Sequence, residues 1–90
     1  MTELQELCKR AIDKFGALSQ MDMMVEECAE CIAAIEHFKR LNRNKHDPTE
    51  VIDELVDVEI VLTQMKLIFG GDVWEDIHTQ KVDRLKKLLR

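Results

Sequence analysis

Asp47-Pro48-Thr49-Glu50-Val51-Ile52-Asp53-Glu54-Leu55-Val56-Asp57-Val58-Glu59-Ile60-Val61-Leu62-Thr63-Gln64-Met65-Lys66-Leu67-Ile68-Phe69-Gly70-Gly71 is the stretch that decides the fold. It opens with a helix-start signature: an aspartate cap, a proline in the first turn, and Glu50 three residues after the cap. It closes on two glycines, which favour a helix stop. Between them apolar side chains fall on nearly every side: Val51, Ile52, Leu55, Val56, Val58, Ile60, Val61, Leu62, Met65, Leu67, Ile68 and Phe69. A helix apolar all round is buried on several sides. The rest of the chain is too short to cover it, so the pattern predicts a subunit interface through this helix.

Working outward, three more helices are expected, in a single domain spanning 1–90. The first runs from about Glu3 to Phe15, with Thr2 and Gln5 as a capping box and Gly16 as the stop. Its stripe is Leu4, Leu7, Cys8, Ala11, Ile12 and Phe15. The second runs from about Gln20 to Leu41, with Ser19 as cap. Its main stripe is Met21, Met24, Val25, Cys28, Cys31, Ile32 and Ile35, and a second flank carries Met23, Glu27, Glu30, Ala34, Phe38 and Leu41. A basic loop to His46 leads into the central helix. The last helix starts at Asp72, with Glu75 in its first turn, and runs to about Leu89. The fold class is all-α, a four-helix bundle that oligomerises through its apolar central helix. Three glycines, one proline and no tyrosine agree with that class.

A net charge of −5 argues against a nucleic-acid binder. The charge is uneven, with basic flanks at residues 39–46 and 81–90 around an acidic middle. Such a chain could hold a metal ion and a polyphosphate together. Nothing approaches a membrane span, and no apolar run suits a signal peptide. Three cysteines, an odd count, favour a reducing, cytoplasmic setting.

The acidic middle has structure of its own. Glu26-Glu27-Cys28-Ala29-Glu30 and Glu54-Leu55-Val56-Asp57 each place two carboxylates three residues apart, on one side of a helix. Glu54 and Asp57 lie on the apolar helix, whose one internal cation is Lys66. A buried carboxylate is costly unless it is paired or bound to metal. An antiparallel pairing with the second helix brings Glu27 and Glu30 toward them. A symmetric hairpin would leave the two pairs about a turn out of level, and a loose loop with a crossing angle closes that gap. Four facing carboxylates form a hard-oxygen cage of the kind that holds Mg²⁺ or Mn²⁺. The plain alternative is a set of solvated helix acids.

In this order and spacing the chain resembles the MazG-like, all-α nucleoside triphosphate pyrophosphohydrolases, whose signature is E-E-x-x-E followed by E-x-x-D. The likeness takes in Gln20, the Asp57-Val58-Glu59-Ile60 run and Lys81, and covers essentially the whole chain. It implies hydrolysis of a nucleoside triphosphate between the α and β phosphates, to a monophosphate and pyrophosphate, in control of the nucleotide pool. It implies Mg²⁺ on Glu27, Glu30, Glu54 and Asp57, and a homodimer or homotetramer. Glu26 is a candidate base or supporting carboxylate, with a solvent-facing acid as the alternative; Glu27 or Glu30 could take the proton instead. Gln20, Lys81 and Arg84 are candidate substrate contacts. The last helix departs from the family pattern, because Leu85 stands where many relatives carry asparagine.

Other features are weaker. Cys28-x-x-Cys31 has no matching second pair of soft ligands and reads as core thiols. Trp74 could stack on a base but reads first as core or interface. A phosphoribosyl-ATP pyrophosphohydrolase is a related alternative, opposed by Val58-Glu59 where that family carries an aromatic-His pair. A metal-binding helical dimerisation module without turnover is the other.

Overall fold

A computed structural model describes residues 1–41 and 47–90; the basic loop expected at 42–46 lies outside them. The described residues form four helices and no strand: α1 (Glu3–Phe15), α2 (Ala17–Arg40), α3 (Thr49–Phe69) and α4 (Asp72–Leu88). The all-α class is therefore established. Among the described residues no helix is long and apolar enough to cross a membrane.

The helix boundaries follow from local chemistry. At the start of α1 the Thr2 N–H donates to Gln5 Oε1 at 2.8 Å, and the Gln5 N–H donates to Thr2 Oγ1 at 3.1 Å. This is the expected capping box. Gly16 alone separates α1 from α2. Its N–H donates to the Ile12 carbonyl at 2.8 Å, and its own carbonyl accepts from the Gln20 N–H at 3.2 Å. One residue both closes a helix and opens the next, so α2 begins at Ala17, three residues earlier than expected, and Ser19 lies inside it rather than capping it. Gly16 does this at φ 92°, ψ 149°, close to a region that only glycine enters readily.

Asp47 caps α3 from two residues before its first turn: its Oδ1 accepts from the Thr49 N–H at 3.0 Å and from the Thr49 hydroxyl at 2.5 Å. These bonds hold the Asp47 carboxyl below its ordinary range. Glu50 does not fold back on the cap as in a capping box but lies 3.8 Å from His37 Nδ1 on α2. α4 starts at Asp72 as expected, with Glu75 in its first turn, and Gly71, at φ 108°, takes the cap position.

α2 and α3 pack along most of their length, and α1 lies across both, chiefly on α3. The core is small: Cys8, Cys31, Ala34, Val61 and Met65 are buried. Burial raises the proton affinity of the Cys8 thiol, which donates to the Ile60 carbonyl at 3.7 Å. Cys31 is buried and Cys28 half-buried, both as free thiols, in keeping with core cysteines.

α4 does not complete a bundle within the chain. None of its residues is buried, and it forms no extended packing with the other helices. Lys66 Nζ, 5.4 Å from the centre of the Trp74 ring, ties its first turn to the end of α3. The radius of gyration, 16.0 Å, exceeds the roughly 12 Å of a compact domain this long, as a projecting helix requires. The outer face of α3 is bare as well: Ile52, Leu55, Val56, Leu62 and Phe69 are each more than a third exposed.

Gly16→Ala tests the shared turn. The strained backbone would cost about 1–3 kcal/mol. In a domain this small the thermal midpoint should drop by about 5–15 °C, measured by circular dichroism.

Candidate metal centre

The α2–α3 interface brings the two acidic motifs together. Glu27, Glu30 and Glu54 each place a carboxylate oxygen within 4.8 Å of the others. Asp53, Glu54 and Asp57 form a second such trio, which shares Glu54 with the first. Ligand oxygens on opposite sides of a bound Mg²⁺ stand about 4 Å apart, so small side-chain movements would bring a trio to coordination distance.

Register produces this arrangement. Gln20 on α2 bonds Gln64 on α3, with Nε2 donating to Oε1 at 2.5 Å. Counting seven residues inward along each helix from that pair leads to Glu27 and Asp57. Seven residues are two turns, so these two acids are level across the interface, and Glu30 is level with Glu54 in the same way. The turn of mismatch expected from a symmetric hairpin is thereby removed.

The electrostatics of the cluster are those of crowded, uncompensated carboxylates. Glu27 Oε2 and Glu54 Oε2 are buried atoms that no hydrogen-bond donor among the described residues meets. Among the described residues the ion pairs are His37–Glu50, Lys39–Glu36 and Lys86–Asp83, and none reaches the five carboxylates. Desolvation, followed by repulsion from Glu30, Asp57, Glu26 and Asp53, pushes the Glu27 carboxyl above the ordinary glutamate range. Desolvation also leads at Glu54, followed by Glu30, Asp57, Asp53 and Glu27. A hard divalent cation would relieve both causes, and the donor set of carboxylate oxygens fits Mg²⁺ or Mn²⁺.

The other sequence candidates are distributed differently. Glu26 is exposed, belongs to neither trio, and is close enough to raise the proton affinity of Glu27. Lys81 and Arg84 border an open hollow on α4 with Ile77 and Gln80, on the helix that stands off the body. Gln20, expected at the substrate, is 6% exposed and its amide is engaged by Gln64, which places it in the core.

Two participants escaped sequence reasoning. Asp53 is a fifth carboxylate; the available signal was its place four residues before Asp57, one turn away on the same helix. Gln64 is a polar residue between Val61 and Met65 on the buried stripe, visible as a break in that stripe but with no sign of its partner.

The raised carboxyls make a pH prediction. A group that binds its proton more tightly in the folded chain contributes stability below its unfolded pKa and loses it as pH rises through the folded value. Without metal, the melting temperature of the wild type should therefore fall relative to Glu54→Gln as pH rises above the ordinary glutamate range of about 4. Asp47 acts in the opposite sense, at lower pH, and cancels in that comparison. Mg²⁺ at a hundredfold excess over Kd should raise the wild-type midpoint by about 10 °C or more at neutral pH, and much less at pH 4. Comparison of the chain with family models, with curated proteins and with solved structures returns no match, so the centre is interpreted from its own residues and geometry.

Proposed function

We propose that the chain is a Mg²⁺-dependent nucleoside triphosphate pyrophosphohydrolase, MazG-like in its bundle and motifs, that serves to clear unwanted nucleotides. The observation that carries this is the pair of buried oxygens, Glu27 Oε2 and Glu54 Oε2, unmet among the described residues and belonging to two carboxylate trios that share Glu54, one of which spans α2 and α3. An isolated surface acid would leave no such atoms. The order of the motifs, E-E-x-x-E then E-x-x-D, supports the choice of reaction.

In this reading Glu27, Glu30, Glu54 and Asp57 hold the cation. Bound there, Mg²⁺ supplies neutralisation of phosphate oxygens and polarisation of the attacking water. Glu26, exposed beside Glu27, or Glu27 or Glu30 itself, accepts the water's proton. The water oxygen bonds to phosphorus as the anhydride bond between the α and β phosphates breaks, and the products are a nucleoside monophosphate and pyrophosphate. Lys81 and Arg84 bind phosphate from α4, a helix the single chain leaves unpacked. A homodimer or homotetramer built on the bare face of α3 would also have to bring these cations to the substrate.

Two measurements test the proposal. Pyrophosphate release should appear with Mg²⁺ on a panel of canonical and modified triphosphates, and Glu54→Gln should lower it by at least about 100-fold. Absence of release by the wild type, or full activity in the variant, overturns the reaction. Leu62→Lys places a charge on the outer face of α3 and should weaken self-association by about tenfold or more in sedimentation. An unchanged mass distribution removes that face from the assembly.

A further inference from the structure

We propose that the Gln20–Gln64 pair is a register lock, and that these two residues act as positioning residues for the acidic centre. The inference rests on the metal-binding reading above and assigns its geometry to a contact two helical turns away.

Both side chains are more than nine-tenths buried, at 6% and 7% exposure, and they bond each other across α2 and α3. They are the two buried polar residues of the described core. The other buried residues of the described core, Cys8, Cys31, Ala34, Val61 and Met65, are small or flexible and apolar. Such contacts are not directional, and a slide of one turn, about 5.4 Å, would exchange one set for another. The same slide would separate the two amides and leave both unpaired in the core, which the chain avoids. It would also take Glu30 out of level with Glu54, and Glu27 out of level with Asp57.

The acidic centre cannot hold its own register without metal. Its carboxylate oxygens stand within 4.8 Å of one another in each trio and repel, and repulsion across two helices favours any displacement that separates them. A neutral amide pair resists that displacement without adding charge. Its distance from the nearest acids, about 10 Å along the helix axes, keeps it out of direct contact with a cation bound by either trio. A buried polar pair that fixes helix register at some cost in stability has precedent as a physical device.

The test separates register from bulk stability. Gln20→Met with Gln64→Met replaces both partners by unbranched apolar side chains of similar length, a change that can be nearly neutral for folding. Mg²⁺ affinity is measured by calorimetric titration on the full chain, alongside the metal-free melting temperature. The lock predicts about tenfold weaker Mg²⁺ binding in a variant that remains folded. A purely structural pair would move the metal-free melt and leave Mg²⁺ affinity within about threefold, and that result overturns the lock alone. If the methionine pair does not fold, Gln64→Glu decides: it keeps an acceptor for the Gln20 amide. The lock requires this variant to bind Mg²⁺ within about threefold of the wild type, and weaker binding overturns it. A wild type that binds no Mg²⁺ overturns the metal reading, and the lock's role with it.

Discussion

Carboxylates crowded across the α2–α3 interface, met by no cation among the described residues, are the constraint on which the rest of the structure depends. Five acids converge there, and two of their oxygens are buried without a donor. A small helical domain with few buried apolar side chains has little stability to set against such repulsion. The arrangement is reasonable only where something opposes it, and the proposals above supply two kinds of opposition. The first is packing with fixed register, through the buried amide pair and the His37–Glu50 contact nearer the α2–α3 loop. The second is chemical: the oxygens suit a hard cation that would convert repulsion into ligation.

The same economy of core explains the bare surfaces. α3 is apolar around its circumference, yet α1 and α2 cover only part of it, and α4 meets it only near its end, through Lys66 and Trp74. α4 keeps its own apolar side chains, Val73, Ile77, Leu85 and Leu88, largely in water. These exposed apolar side chains are what the proposed self-association would cover. Self-association would bury α3 and recruit α4 in one step, which is why the site and the assembly belong to one proposal.

Much of this was legible along the chain. The capping box at Thr2 and Gln5, the stop at Gly16 and the end of α3 at Gly70 all follow from chemistry within a few residues. The pairing of Glu27 with Glu30 and of Glu54 with Asp57 follows from helical spacing alone. The start of α2 did not, because Ser19 is a good cap in isolation and only the one-residue turn at Gly16 makes it unnecessary. Gln20 shows the limit most clearly. Its type suits a substrate contact, but the side chain lies in the core, bonded to a residue 44 positions away.

The sequence by itself therefore determined the all-α class, the number of helices and the grouping of acids on one face of each, because these depend on local periodicity and capping. Only the tertiary structure decided that the two acidic faces meet level with each other. It alone showed Asp53 joining Glu54 and Asp57 in a trio of carboxylate oxygens, Gln20 belonging to the core, and α4 standing apart. The reason is physical: level and contact between helices depend on register and on side chains distant in sequence, which local spacing does not encode.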